Sequence, residues 1–417
     1  MSMSSANAPS SARIPPPIPM NTPDARWLSL HLPRLSTDRV RRSGGAPSDG
    51  RPFALYEKIG NAFTLTGLDE AAHQAGLRPG LPLADARALR PDLLAQEGDA
   101  AADAQALDDI AAWCDRFTPV VVLDPPDGLF LDVTGCAHLW GGEAGLLKAL
   151  KARLRAQGFN VRAAIAPSPG SAWACARFGQ RRLIEPDALE AALAPLPLPA
   201  LRLSEEAAAL LKRLGLKSVG QIAHAPRQPF SARAGQQALL RLDQAFCRAP
   251  EALTPRRPPP PVFAFRRLAE PILTLDSVLI VAEDLCADLA EKLDFRAHGA
   301  RSLRLCLFGV DSKVRFVTLA LSRAEHAAKS MLRLLRERLS AAPETLNAEF
   351  GFEAMRLDAL EIAPIVFHAT DLAPASKRDL AAETRLADSL RARLGGDRIG
   401  HVVIRNAHAP RRVNQWA

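Results

Sequence analysis

The sequence predicts an α+β protein of several domains, and three observations predict it. Residues 26–166 read as strand and helix, then strand, strand, helix, strand, the order of a split βαβ sheet with a helical insertion. Residues 262–360 repeat that order as a βαββαβ unit. Between them lie a basic helical segment and a proline run, residues 255–261, reading Pro-Arg-Arg-Pro-Pro-Pro-Pro. At 417 residues, 48% of them hydrophobic, the chain can bury a core in each of roughly three domains.

In chain order, the first 23 residues are rich in Ser, Ala, Pro and Asn and read as a disordered leader. They lack the basic, apolar, small-residue order of a signal peptide. Residues 26–32 alternate like a strand, and Ser36-Thr37-Asp38 offers helix N-caps. A Gly/Ala-rich stretch from about 67 to 117 is helix-prone. Strands at 119–124 and 128–134 are joined by the turn Asp124-Pro125-Pro126-Asp127-Gly128. A helix over 143–157 puts Leu146, Leu147, Leu150 and Leu154 on one face, and 160–166 is a further strand.

Residues 197–250 read as helices with short turns. The proline run then stops them and, lacking internal hydrogen bonds, serves as a semi-rigid spacer. Beyond it come a strand at 262–266, a helix at 277–295, strands at 302–308 and 313–320, a helix at 325–339 and a strand at 354–360. Val278, Val281, Leu285 and Leu289 give the first of these helices its apolar stripe. The tail from 366 is polar, and its last twenty residues hold Arg398, Arg405, Arg411 and Arg412 with no acid.

The net charge of +8 is unevenly placed. Residues 197–261 carry 10 Lys and Arg against 4 Asp and Glu, and 366–417 carry 9 against 5. A basic segment between near-neutral domains suggests a polyanion partner, with a plain solvated surface as the other reading. No run of 18 apolar residues occurs, so no membrane helix and no membrane partner are expected. The six cysteines are far apart and never form C-x-x-C, which reads as buried free thiols in a reducing cytoplasm and no zinc site.

Three passages in order resemble the Y-family translesion DNA polymerases, and within them the ImuB type. Leu129-Phe130-Leu131-Asp132-Val133-Thr134-Gly135 is similar to the strand after that family's Ser-Ile-Asp-Glu motif. Gly76-Leu77-Arg78-Pro79-Gly80-Leu81-Pro82, with Ala86 and Pro91 beyond, resembles the fingers signature, and Leu214-Gly215-Leu216-Lys217-Ser218-Val219-Gly220 the thumb turn. The resemblance implies a palm over 24–196 with a fingers insertion at about 60–117. It further implies a helical thumb over 197–254, a linker at 255–261, a little finger over 262–365 and a basic tail over 366–417.

Catalysis in that family needs three carboxylates that hold two divalent ions roughly 3.5–4 Å apart. The resemblance places His31 at the first carboxylate and Pro125-Pro126-Asp127-Gly128 on Ser-Ile-Asp-Glu, so Asp127 remains while His31 and Gly128 replace two ligands. Asp132 lies on the neighbouring strand and is read as structural. The steric-gate aromatic matches Ser36, the triphosphate-gripping Tyr and Arg match Glu70 and His73, and the palm lysines fall in Ser168-Pro169-Gly170-Ser171-Ala172-Trp173. A carboxylate facing a triphosphate repels it. The residues therefore imply no catalytic site, only a vestige at Asp127, Gly128 and His31, and no metal or cofactor. The leading expectation is a non-catalytic DNA-binding adaptor of error-prone synthesis. The alternatives are an active polymerase whose ligands lie elsewhere and a general nucleic-acid binder.

The residues expected to bind DNA are Lys212, Arg213, Lys217 and Arg233 of the thumb, with Gly215 and Gly220 shaping a turn whose amides precede a helix start. Arg227 and Arg241 add to that segment's charge, and helix–helix packing is the other reading of the turn. Arg304, Lys313 and Arg315 lie on two strands that should pair, and in the family resembled that sheet lies against duplex DNA, where phosphate contacts give affinity without sequence specificity. The resemblance implies as partners a damaged primer-template, ImuA-like and RecA-like proteins and an error-prone replicative-type polymerase, at the nucleoid. A sliding-clamp motif would fall at 366–374, but Val-Phe-His-Ala-Thr-Asp-Leu-Ala-Pro has no Gln and the wrong order, which leaves clamp binding in doubt.

Overall fold

The computed structural model describes residues 25–365 except 48, 258, 259, 312 and 349, together with 386–394, 402–404 and 414–416. The leader at 1–23, the stretch 366–374, the tail arginines Arg398, Arg405, Arg411 and Arg412, and the side chain of Arg233 lie outside the described residues. The chain divides into two compact units, Met1–Pro258 and Pro259–Ala417.

The first unit is built on a four-stranded antiparallel sheet ordered Val121–Asp124, Gly128–Asp132, Trp27–His31, Arg162–Ala166. The central strand sets Ser29 opposite Phe130 on one side and Ala164 on the other. Trp27, Leu28 and Leu30 are fully buried, Trp27 in the same cluster as Ala172, Ala174 and Ala176 of the helix Pro169–Arg177. The helix Gly142–Ala156 buries Leu146, Leu147, Leu150 and Leu154, the face its leucine spacing predicts. The helix Pro169–Arg177 starts at Ser168, which accepts a hydrogen bond from Ser171 N while Ser171 Oγ accepts from Ser168 N.

One core joins this sheet to the helical segment that follows. Trp27, Phe130 and Ala164 belong to the same buried cluster as Leu193, Leu211, Ile222 and Leu242. That segment holds the helices Glu205–Arg213, Val219–Ala223, Arg227–Ala234 and Gln236–Ala245.

The insertion differs from its sequence-based expectation. It contains a second sheet, ordered Ala62–Leu68, Phe53–Ile59, Leu94–Glu97, and begins at residue 53. The helix-prone stretch resolves into three helices, Glu70–Gln74, Leu83–Leu89 and Ala100–Cys114. A hairpin turning at Gly60, at φ 61°, brings Tyr56 edge-on to Phe63. The proline run also differs at its start. Arg256 donates to both oxygens of Asp108, at 2.5 and 2.6 Å, and its amide donates to Val121 O at 2.7 Å, so these residues are tied to the first unit.

The second unit is an antiparallel sheet ordered Val314–Glu325, His298–Gly309, Phe352–Pro364, Val262–Ile272. Leu275–Phe295 and Ala328–Ala341 cover one face, against Leu303, Leu305 and Leu307. A helix over 386–394 also belongs to this unit: Asp388 Oδ1 accepts from Ser322 N at 3.0 Å, and Ala392 is buried. All six cysteines are free, and burial pushes the thiols of Cys175 and Cys286 up to about 11 and about 12. Among the described residues no helix is long and apolar enough to cross a membrane.

Candidate functional site: a palm centre held by a guanidinium

The tight connection between Val121–Asp124 and Gly128–Asp132 sets Asp124 across from Gly128 and brings Asp127 to the end of the central strand. There the amide of Leu32 donates to Asp127 O at 2.8 Å, which fixes the turn to the strand carrying His31. His31 Nε2 lies 3.3 Å from Asp127 Oδ2. From the last turn of the helix Pro169–Arg177, Arg177 Nη2 reaches Asp127 Oδ1 at 2.8 Å and Asp124 Oδ2 at 3.2 Å. Trp173, one turn earlier, donates Nε1–H to the same Asp124 oxygen at 2.8 Å and offers its ring to the Arg177 guanidinium at 4.3 Å.

One buried cation therefore serves two carboxylates. Burial works to raise the carboxyl of Asp127, but the hydrogen bond and charge of His31 and the charge of Arg177 outweigh it and hold this group below its ordinary range. Asp124 goes the other way: burial raises it, and the nearby Arg177 and Arg202 charges offset that only in part. Burial also lowers Arg177 from its ordinary value.

A pair of divalent ions does not fit this donor set. Both carboxylates already face a guanidinium, and hard Mg²⁺ needs anionic oxygens free to receive it. Among the described residues no group of three or more His, Cys, Asp or Glu could hold a metal ion. Gly128 explains why the guanidinium sits where it does. A Cβ there would meet Asp124 Oδ2 at 2.7 Å, Arg177 Nη2 at 2.8 Å and Asp124 O at 3.1 Å. Glycine thus leaves the space that Arg177 and Asp124 fill. Gly128→Ala should cost the first unit about 1–3 kcal/mol by overpacking, read as a lowered urea midpoint with an unchanged slope. An unshifted midpoint would mean that this space is not tightly filled.

Of the other positions matched by resemblance, Ser36 and His73 share one cavity, while Ser168 to Ala172 are buried at the start of the helix Pro169–Arg177. Ser36, His73 and Asp127 line a space of about 310 Å³ together with Arg34 and Pro79. Glu70 pairs instead with Arg34, whose hydrogen bond and charge hold its carboxyl below the ordinary range.

The residues expected to bind DNA fall into two groups. Lys212, Arg213 and Lys217 are exposed around the turn at Gly215, which adopts φ 81° as the helix ends. The turn's amides, expected to be open to phosphate, are engaged within the chain. Gln221 Oε1 accepts from Lys217 N at 2.6 Å and Ser218 N at 3.2 Å, while Val219 N and Gly220 N donate to Leu196 O and Ala194 O. Gly220 is needed for close approach, since a Cβ there would lie 3.0 Å from Ala194. Arg227 pairs with Asp243 and Arg241 with Glu251. In the second unit Lys313 is exposed, Arg304 is half-buried with its guanidinium 5.7 Å from the Phe316 ring, and Arg315 pairs with Asp311 at 2.9 Å.

Sequence reasoning passed over Asp124, Trp173 and Arg177. The signal for the last two was the i, i+4 spacing of Trp and Arg on one helix face, and Asp-Pro-Pro-Asp shows two carboxylates on one turn.

An antiparallel palm-like sheet with acidic residues on the hairpin beside its central strand, an inserted small domain and a βαββαβ unit beyond define a polymerase-like class. The profile of the impB/mucB/samB family matches residues 49–177. Protein ImuB of Caulobacter vibrioides is 40% identical over 341 residues, covering 81% of this chain and 73% of that protein. DNA polymerase IV of Shewanella halifaxensis is 24% identical over 249 residues, covering 58% and 70%. The chain belongs to the Y-family DNA polymerases, in the ImuB branch. Among solved structures, DinB from Sulfolobus solfataricus overlaps with a TM-score of 0.47 at 15% identity, over 82% of this chain and 100% of that one. An insertion ternary complex of Dbh DNA polymerase overlaps with a TM-score of 0.48 at 15% identity and the same coverage.

Proposed function

We propose that this chain is a non-catalytic DNA-binding adaptor of error-prone translesion synthesis. One observation carries the reading: the charge that a polymerase supplies with divalent ions is supplied here by the side chain of Arg177, bound to Asp124 and Asp127. His31 stands where the family's first carboxylate is expected and pairs with Asp127 itself. With Asp127 engaged by His31 and Arg177, and Asp124 by Trp173 and Arg177, the two carboxylates are not left to gather the pair of ions that activates a primer hydroxyl.

DNA is held through phosphates by Lys212, Arg213 and Lys217 in the first unit and by Arg304 and Lys313 in the second, with Arg233 and Arg315 as further contacts. Arg315 contributes least, being paired with Asp311. The kinship with Protein ImuB supports a role in the DNA damage response. In that role the chain acts at the nucleoid beside ImuA-like and RecA-like proteins and an error-prone replicative-type polymerase.

A second reading, an active polymerase, is favoured by Asp124, a carboxylate that shares Arg177 with Asp127. Primer extension separates the two. With primer-template, four dNTPs and Mg²⁺ or Mn²⁺, the purified chain should give no extension. Extension abolished by Asp127→Ala or Asp124→Ala would establish the second reading instead.

A further inference from the structure

The helix Leu275–Phe295 buries Val278, Leu285 and Leu289 against the sheet of the second unit. Its outward face has the opposite character. Asp276, Glu283, Asp284 and Glu291 are exposed there, spaced by helical turns, and none has an ion-pair partner among the described residues. The helix's own cation, Lys292, points off this face and donates to Phe263 O at 2.8 Å, and Arg296 beyond it donates to Pro261 O at 2.9 Å. Two large apolar side chains lie at this surface without cover: Ile280 is 67% exposed and Phe295 92%. They are separated along the axis by roughly 22 Å at 1.5 Å per residue.

An acidic stripe alone indicates only a solvated face. Here it coincides with uncovered Ile280 and Phe295, and the combination of apolar anchors in a field of one sign is the layout of a protein-binding surface. The charge selects the occupant. Nucleic acid is repelled, and so is a second copy presenting the same face. We infer that the outward face of Leu275–Phe295 docks a Lys/Arg-bearing amphipathic segment of another protein, with Ile280 and Phe295 as apolar anchors. Arg304 alternates with the helix-facing Leu303 and Leu305 and so lies on the sheet's other side. A partner on the helix therefore leaves that side free for DNA.

The test places p-benzoylphenylalanine at the exposed Ala287, in the middle of this face, in the full-length chain. Cells expressing it are exposed to a DNA-damaging agent and irradiated, and the cross-linked peptide is sequenced. A segment of another protein with net positive charge supports the proposal. Its yield should then fall by roughly tenfold when Glu283→Lys, Asp284→Lys and Glu291→Lys are combined, and by less with Glu283→Gln, Asp284→Asn and Glu291→Gln. Thermal melting and duplex affinity, which report folding and the adaptor reading separately, should not weaken in the neutral variant. A cross-link to DNA, to a second copy, to the chain's own residues 395–417 or to a neutral or acidic segment overturns it. So does no cross-link, or a yield insensitive to both sets of changes.

Discussion

Arg177→Ala should destabilise the first unit by about 2–4 kcal/mol, just under the range for breaking a fully buried pair, because Asp124 and Asp127 retain some solvent. Tryptophan fluorescence during urea unfolding reads this directly, since Trp27, Trp113, Trp140 and Trp173 all lie in that unit. The loss has two parts: two carboxylates are left without their cation, and the face of Trp173 loses its guanidinium. Combining Arg177→Ala with Asp124→Asn should recover part of it. A neutral amide still accepts from Trp173 and no longer repels Asp127.

The pH dependence has a definite sign. Asp127 is held below its ordinary range in the folded chain, so its pairing stabilises above the unfolded-state value of about 3.9 and is lost as pH falls through the lower folded value. Asp124, raised by burial, binds its proton more readily folded than unfolded, and its ionisation opposes folding at neutral pH. Without Arg177 that penalty grows, and protonation relieves it. The gap between the original chain and Arg177→Ala should therefore be widest near neutrality and narrow below about pH 4. A variant as stable as the original chain at pH 7 would show that the guanidinium is not the counter-charge.

Replacing Lys212, Arg213 and Lys217 together by alanine should weaken binding to duplex DNA of every sequence. It should also flatten the plot of log binding constant against log salt by about two to three units, since each phosphate contact contributes a slope near 0.9. In the second unit Lys313→Ala should have a larger effect than Arg315→Ala, because Arg315 already answers Asp311. Truncation after residue 394 removes Arg398, Arg405, Arg411 and Arg412 but keeps the helix over 386–394 that packs on the second unit, and it should cost less than the triple change. If truncation abolishes binding while the triple variant binds as before, the chain touches DNA only through its tail.

The parts of the fold legible in the sequence were those where one periodicity dominated. The leucines of Gly142–Ala156 and the alternation around Leu303, Leu305 and Leu307 leave a single packing solution. The hairpin of Phe53–Ile59 and Ala62–Leu68 was missed although Gly60-Asn61 marks it, because the Ala-rich stretch after it reads as helix. Of the site, Asp127, Gly128 and His31 were identified by matching a motif. Arg177 was not, because the partner of a carboxylate 50 residues away is set by tertiary packing rather than by local pattern. The turn at 215–220 shows the reverse failure. Its glycines and helix start suggest open amides, but Gln221 is long enough to fold back and cap them.

The shared core of the sheet and the helices that follow has a bearing on how the chain can come apart. Leu211, Ile222 and Leu242 bury themselves against Trp27 and Phe130 rather than among one another alone. A fragment that stopped before residue 197 would leave that apolar surface open to water, and the detached helices would have no interior of their own. Sheet and helices share one interior, so opening either exposes apolar surface of the other. The grip on DNA ascribed to Lys212, Arg213 and Lys217 thus draws its rigidity from the same buried residues that keep Asp127 against Arg177, and a cavity opened beneath one loosens the other.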